Sequence, residues 1–483
     1  MSDVFAPRVL DAEPIDDLDA WIAIGGGKGI EAARRLGAAA VVDDIDASGL
    51  RGRGGGGFPT GRKWRTVAAN RSPTIPTTVV VNAAEGEPGS FKDRELLRRN
   101  PFRVLEGALV AAFAVGADRV VVAVKATFER EAERVRAAAA AIAAAGWSDG
   151  VTIDVHEGPS EYLFGEETAL LEVLEGRAPF PRVAPPYRHG ADEIGDGTTS
   201  PADVDLAGPG TSEAPPTLVN NAETLANVPQ IMIEGPDWFR AVGTDESPGS
   251  IVCTITGETQ RAAVGEVPMG TPLQTVIDDI GGGAIAGQRL VAAMSGVANP
   301  LLPADRFDTP LTYEAMAAAG AGLGAAGFIV FDDTTDLVAI AAGVSRFLAV
   351  ESCGQCEPCK QDGLAISGAL DRLCRNEPAA DDSDTVAARL DSITTGARCF
   401  LATQHQRVIT SLLGLAPDQF EAHRADRAEV VEPVTIGPIV DVARGSAVLD
   451  DRQRDKQPDW SFDSEDSGKA PADVIDQGVE QDT

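Results

Sequence analysis

The spacing of apolar residues along this chain changes period several times, and each change marks an element. TTVVVNA (77–83), RVVVAVK (119–125) and VTIDVHE (151–157) predict strands, and the first reads as a buried one. Between them FKDRELLRR (91–99), residues 102–116 and the Ala-rich 127–145 have helical spacing. Pro101 separates the first two helices, and Ser90 with Asp93 reads as a capping pair. GEETALLEVLEG (165–176) predicts a helix closed by Gly176. Strand and helix alternate, so this region predicts an α/β layer domain with a mostly parallel sheet.

The pattern differs on either side. Residues 1–48 form an acidic segment with a short helical stretch near 29–36. Residues 178–216 are rich in Pro, Gly and Asp and read as an irregular surface loop. From 250 to about 335, the short strands SIVCTITG, GEVPMGT, RLVAAMSG and AGFIVFDD surround one helix, PLQTVIDDI, which suggests a small separate α+β domain. Residues 336–415 are helical, with polar breaks near 376–384. The tail from about 425 is acidic and poor in aromatics, and its last twenty or so residues are expected to be disordered.

The 483 residues suggest about three folded units at roughly 100–200 residues each. The apolar stretches 104–116 and 137–145 fall short of the roughly 20 residues a membrane-crossing helix needs. The acidic N-terminus lacks the layout of a signal peptide. A cytoplasmic location is expected, with any membrane association made through partners and not by direct insertion. The net charge of −33 argues against nucleic acid as a partner.

Cys353, Cys356 and Cys359, in ESCGQCEPCKQDG, follow C-x2-C-x2-C spacing, which reads as metal ligation in a reducing compartment. A [4Fe–4S] cube needs four ligands, one per iron. Cys399 and Cys374 are the candidates for the fourth. Cys399 is preferred because it follows Gly396 in a turn-like stretch, whereas Cys374 sits at an apolar position of an amphipathic helix. The competing zinc reading is weaker, since zinc sites generally use paired CxxC motifs or histidines and none of the four His has ligand spacing here. Cys253 lies in a strand and reads as core packing.

Four further segments carry candidate chemistry. GLRGRGGGGFPTGRKW contains Gly52, Gly54, Gly55, Gly56 and Gly57, which let backbone N–H groups approach a ligand, with Lys63 nearby for phosphate; alone, it reads equally as a flexible loop. NAAEGEPGSFKDREL lies at a strand end, where α/β sheets bind ligands, and its helix start near Ser90 offers N–H groups for phosphate. Its Glu85 and Glu87 suit hydroxyl groups better than phosphate, or form a solvated acidic loop. EYLFGEETALLEVLEG places Tyr162 for stacking or packing, and Glu166 and Glu167 at a first helical turn. LVNNAETLANVP presents Asn220, Asn221 and Thr224, either to a ring edge or as a helix cap.

In this order, the five motifs resemble those of the NADH-binding flavoprotein subunit of complex I-type NADH dehydrogenase and of related NAD-linked diaphorase subunits, over about residues 45–415. The resemblance implies a Rossmann-like FMN- and NADH-binding α/β domain at 49–240, a ubiquitin-like β-grasp domain at 248–335 and a four-helix [4Fe–4S] domain at 340–415, with the tail at 425–483. It implies FMN contacts from the glycine loop, Lys63, Asn82, Glu85, Tyr162, Gly165, Glu166, Val219, Asn220, Asn221 and Thr224. Phe58, Lys63, Glu87, Glu167 and Tyr187 fall on the NADH side. Cys353, Cys356, Cys359 and Cys399 match the cluster ligands. The implied reaction is hydride transfer from NADH to FMN, then single electrons to the cluster. That hydride step needs no acid–base residue, so none is assigned as catalytic. No pattern for a [2Fe–2S] centre is present, so the next acceptor is expected on a [2Fe–2S] thioredoxin-like subunit or a further electron-transfer subunit.

Three features depart from the family pattern. Ala84 stands where N-A-D-E usually has Asp, Thr66 stands where an aromatic often covers the adenine, and 189–214 is long and acidic. They leave two alternatives: a diaphorase subunit of a formate dehydrogenase or hydrogenase, or a non-catalytic electron relay that binds NADH poorly.

Only seven of the 41 basic residues are Lys. Dense carboxylates with scarce Lys are the pattern of a salt-adapted surface, and a GC-rich genome gives the same preference for Arg. Unfolding followed against KCl concentration separates the two: a salt-adapted surface loses stability at low salt, and an unchanged midpoint removes that explanation.

Overall fold

Three valines in a row, Val79–Val81, are fully buried because two different layers cover the strand that carries them. The computed structural model describes residues 5–72, 74–182, 217–462 and 465–479. In it β1 (Thr78–Asn82), β2 (Arg119–Lys125), β3 (Thr152–Gly158) and β4 (Thr217–Asn221) form one sheet of order β3-β2-β1-β4. Every neighbouring pair is parallel. Alternate residues serve opposite faces. Val79, Val81, Val120, Val122 and Val124 meet one core with helices Pro101–Val115 and Ala222–Glu234. Val80, Val121 and Ala123 meet another with Phe164 and helix Glu167–Leu174. This double burial gives the continuous apolar runs seen in the sequence.

Helix boundaries follow local chemistry. Pro101 begins a helix instead of only ending one, because at the first position its missing N–H is not needed, and the Asn100 side chain accepts the N–H of Arg103 at 3.1 Å. The predicted helix 165–176 is a 3-10 turn, Tyr162–Gly165, followed by helix Glu167–Leu174. Glu166 caps that helix by accepting from Ala169 N at 2.8 Å.

The acidic first segment is no detached arm. It folds as helices Leu18–Ala23, Lys28–Leu36 and Ala38–Ser48, and Trp21, Ile30, Val41 and Ile45 join the α/β core. A buried carboxylate, Glu106, receives Trp21 Nε1 at 2.9 Å and the N–H groups of Gly27 at 2.7, Gly29 at 2.8 and Ile30 at 3.2 Å. Gly29 is required there, since a Cβ would lie 2.7 Å from Glu106 Oε1.

The middle unit is a mixed five-stranded sheet of order β6-β5-β9-β7-β8. Its strands are β5 (Ser250–Gly257), β6 (Ala263–Pro268), β7 (Leu290–Ser295), β8 (Leu302–Pro303) and β9 (Gly327–Asp332), with helix Leu273–Gly281 packed on them. The short β8 and helix Tyr313–Ala318 were not foreseen. The helical region follows: Leu337–Glu351, Glu357–Cys374, Asp382–Ser392, Leu401–Leu415 and Pro417–Arg424.

The tail forms a hairpin of β10 (Ile439–Ala443) and β11 (Ser446–Leu449), and within the last twenty residues, expected to be disordered, Pro471–Val479 is a helix. Arg94 donates to Ile439 O at 3.0 Å, and Arg98 pairs with Asp441, so the hairpin is tied to the α/β unit. The loop 178–216, the acidic stretch 189–214 and Tyr187 fall largely or wholly outside the described residues. No helix among the described residues is long and apolar enough to cross a membrane.

Replacing Glu106 orphans up to four buried donors, each worth about 1–3 kcal/mol. Glu106→Ala is expected to lower stability by roughly 3 kcal/mol in urea unfolding, and Glu106→Gln, which keeps one acceptor oxygen for two of the four donors, by less.

Candidate functional site

The chain leaves β1 toward β2 on one side, while β4 joins β1 on the other, so the connections diverge at the carboxyl ends of β1 and β4. Asn82 and Asn221 are register partners at this point, and Asn220 pairs with Val81. A crevice at such a switch point is where open α/β sheets take ligands. Here it is a cleft of about 920 Å³, near the top of the roughly 300–1,000 Å³ range of small-molecule sites. It is lined by Gly52, Gly54–Phe58, Lys63, Asn82, Glu85, Glu87, Tyr162, Gly165–Glu167 and Val219–Asn221, so the structure brings these candidates together.

The glycine loop is anchored from behind. Gly52 N donates to Phe58 O at 2.8 Å, and Tyr313 Oη donates to Gly52 O at 2.7 Å. Arg53 N donates to Thr224 Oγ1 at 2.8 Å, and the buried Arg53 guanidinium reaches Pro248 O and Ser250 O, both at 3.1 Å. Thr224 therefore holds the loop and does not line the cleft. Gly57 has φ +63°, and a Cβ there would lie 2.6 Å from the Tyr313 ring.

The loop runs into helix Thr60–Ala69, whose start has no side-chain cap. Thr60 is among the residues lining the cleft, and its Oγ1 is buried without a hydrogen-bond partner. The expectation that the helix near Ser90 offers free N–H groups is overturned, and so is the capping pair Ser90–Asp93. Glu85 takes those donors: Lys92 N at 2.9 Å, Asp93 N at 3.3 Å, Arg94 N at 3.1 Å and Ser90 Oγ at 2.5 Å. The helix start at Thr60, by contrast, carries no side-chain cap.

The three Asn side chains are held in place. Asn82 Nδ2 donates to Gly165 O at 2.9 Å, and Trp64 Nε1 donates to Asn220 Oδ1 at 2.7 Å. Asn221 Nδ2 donates to Asp93 at 2.7 Å, and its Oδ1 accepts from Lys92 at 3.2 Å and from Glu223 N at 3.0 Å. Lys63 pairs with Glu167 at 2.7 Å. Glu87 accepts from Tyr162 Oη and Val297 N, both at 2.6 Å. Burial pushes its carboxyl up to about 7, and those two hydrogen bonds offset only part of that.

Cys353 and Cys356 lie between helices Leu337–Glu351 and Glu357–Cys374, Cys359 sits in the first turn of the second, and Cys399 precedes helix Leu401–Leu415. All four line one small cavity together with Leu163 and Leu401. Cys374 and Cys253 are buried elsewhere. Among the described residues, no three His, Cys, Asp or Glu side chains close on a single ion. Four sulfurs spread around one cavity suit a larger group. Burial raises the Cys353 and Cys399 thiols and pushes Cys359 up to about 11; a bound metal would favour their thiolate forms. Leu163, Cys399 and Leu401 also line the large cleft, so the two sites share a wall.

The Nuo51 FMN-binding domain matches residues 45–230, and the NADH-ubiquinone oxidoreductase-F iron-sulfur binding region matches 339–423. An F subunit of the NADH-quinone oxidoreductase of Rhizobium meliloti (strain 1021) is 33% identical over 396 residues, covering 80% of this chain and 89% of that protein. The chain belongs to the family of NADH-quinone oxidoreductase F subunits. The F subunit of Mycobacterium tuberculosis (strain ATCC 25618 / H37Rv) is 35% identical over 79% of this chain and 84% of its own length. The HndC protein of the NADP-reducing hydrogenase of Solidesulfovibrio fructosivorans is 33% identical over 86% and 82%. A chain of an NAD+-reducing [NiFe]-hydrogenase in the H2-reduced state superposes with a TM-score of 0.72 at 30% identity, over 85% of this chain and 67% of that one.

In this family member, two walls of the cleft escaped the sequence reading. Asn299, Tyr313 and the glycine-rich run Gly322–Ala325 come from the middle unit, and no local pattern linked them to the other motifs. Phe400, Gln404 and Arg407 also line the cleft. Their i, i+4, i+7 spacing after Cys399 was a usable signal.

Glu87 gives a pH test on the ligand-free chain. Its carboxyl is raised from 4.5 to about 7 on folding, so the folded state binds more protons in that window. The Glu87 contribution is therefore most favourable below about 4.5, declines as pH rises to about 7 and is constant above. Urea midpoints of wild type and Glu87→Gln compared from pH 5 to 8 are expected to diverge in the variant's favour across this window; parallel curves contradict it.

Proposed function

We propose that this chain oxidises NADH, passing hydride to FMN and then single electrons through a [4Fe–4S] cluster to a partner subunit. The observation that carries this reading is the shared wall: the cleft at the sheet's switch point and the four-thiol cavity meet at Leu163, Cys399 and Leu401. When bound, FMN supplies a two-electron acceptor that can release electrons singly, and the cluster supplies the first one-electron acceptor.

The residues fit those groups. The orphaned Thr60 hydroxyl and the uncapped start of helix Thr60–Ala69 suit the FMN phosphate. Asn82, Asn220 and Asn221 would present pre-oriented amides, and the glycine loop would allow close backbone approach. Phe58, Lys63, Glu87, Glu167 and the half-exposed Thr66 would face the nucleotide. Cys353, Cys356, Cys359 and Cys399 would each ligate one iron. The protein's work is to orient, to exclude water and to hold the two sites adjacent.

Finer points rest on the same base. We read the middle unit as a β-grasp domain, supported by its mixed order β6-β5-β9-β7-β8, the parallel β5–β9 pair and the antiparallel β5–β6 and β7–β9 pairs. The sheets and helices support domain limits near 248–335 and 340–415, whereas the packing of helices 18–48 on the α/β core argues against a limit at 49. A [2Fe–2S] thioredoxin-like subunit is the proposed next carrier. The hydrogenase relatives favour a diaphorase complex as the second reading, with the same chemistry in this chain.

NADH added to the purified holoprotein is expected to bleach the flavin and then produce the EPR signal of a reduced cluster. Flavin that stays oxidised supports a relay and overturns the catalytic reading. Cys399→Ser is expected to keep the bleaching, lose the signal and hold fewer than the roughly four irons of an intact cluster.

A further inference from the structure

The tail beyond the matched iron-sulfur region, which ends at 423, returns to the cysteine loop. Lys456 is 1% exposed, and its ammonium meets both oxygens of Glu351 at 2.8 and 3.0 Å. Glu351 ends helix Leu337–Glu351, two residues before Cys353. The same carboxylate accepts Gln453 Nε2 at 2.9 Å and the backbone N–H of Tyr162 at 3.0 Å. Around this pair, Trp460 Nε1 donates to Val350 O at 2.9 Å, and the Trp460 ring lies 5.9 Å from Phe180. Arg346 donates to Gln453 O at 3.1 Å and to Arg454 O at 2.8 Å. Ala472 N donates to Cys353 O at 3.0 Å, and Ala470 packs so closely on Gly354 that a Cβ there would meet it at 2.2 Å.

One carboxylate therefore joins three segments: the turn that carries Tyr162 into the cleft, the helix that delivers the cysteines, and the tail. We propose that the tail acts as a clasp in which Lys456 is a positioning residue, neutralising Glu351 and holding the cysteine loop against the cleft wall so that the cluster's potential and its place beside the flavin are fixed. The proposal rests on the reading that Cys353, Cys356, Cys359 and Cys399 hold the cluster. An unpaired charge in this buried spot is costly, so the two charges form as a pair. Two residues from a ligand, an unbalanced charge also acts on the electron the cluster receives.

The test is an EPR-monitored redox titration of the holoprotein, with iron and flavin content measured for each variant. Lys456→Met leaves a carboxylate beside the cluster and is expected to shift its midpoint potential negative. Glu351→Gln leaves an ammonium and is expected to shift it positive. Lys456→Arg and the double variant Glu351→Gln/Lys456→Met, each without an unbalanced charge, are expected to lie close to wild type. Flavin bleaching by NADH is expected to persist in Lys456→Met. If Lys456→Met loses iron, retention in Lys456→Arg and in the double variant supports the clasp; loss in Lys456→Arg as well overturns it. Unchanged potentials in both single variants, or shifts of the same sign, also overturn it. Wild-type protein without iron would instead refute the cluster reading beneath it.

Discussion

One buried ammonium, Lys92, fixes the geometry on which the cleft depends. It is 1% exposed and bonds Asp93 at 2.9 Å, Glu223 at 2.8 Å and Asn221 at 3.2 Å. Asp93 belongs to the helix after β1, Asn221 ends β4 and Glu223 lies in the first turn of the helix that follows it, so the cluster sets how far the two strand ends part. Glu223 also accepts the N–H of Val252, which ties in the first strand of the middle unit. Burial alone would lower the Lys92 pKa, but Asp93, Glu223 and Glu85 outweigh it and keep the group charged. Removing one member would strand a buried charge, at a cost of about 3–5 kcal/mol.

From that anchor the redox geometry follows. Asn220 and Asn221 hold one side of the cleft, and the glycine loop, pinned by Arg53 to Thr224, forms another. Across it, the turn at Tyr162–Gly165 is fixed by Glu87, Gln404 and Glu351, which belong to the β1 loop, the Cys399 helix and the cysteine-loop helix respectively. Tyr162 is thus bonded to elements of both sites. Four segments distant in sequence must meet for the two sites to share a wall, and buried polar networks specify such meetings more sharply than apolar packing does.

The sequence made the strands legible because both faces of the sheet are covered, leaving runs such as Val79–Val81 without ambiguity. The cysteine loop was legible because three thiols crowd within seven residues. Glu85 was misread for a physical reason: a carboxylate beside a glycine-rich turn looks solvated, and only the folded turn shows it aimed at the start of helix Lys92–Arg99. Thr224 was misread because a cap-like position does not reveal which face its hydroxyl serves. The tail was judged by composition, yet a few apolar and charged residues, Trp460 and Lys456 above all, suffice to order it against a partner surface that composition cannot see.

A cleft lined by acidic residues and proposed to take a phosphate, in a chain of net charge −33, poses an electrostatic problem that the hydrogen bonds largely resolve. Glu85 and Glu166 each spend their oxygens on helix-start N–H groups, and Glu87 on Tyr162 and Val297. Glu167 is matched by Lys63. Burial raises the carboxyls of Glu85, Glu87 and Glu166, that of Glu87 to about 7. Meanwhile the helix start at Thr60 keeps its partial positive charge uncapped, with Arg62 and Lys63 in its first turn. The field that an incoming phosphate meets is therefore set less by the count of carboxylates than by which helix starts are already occupied.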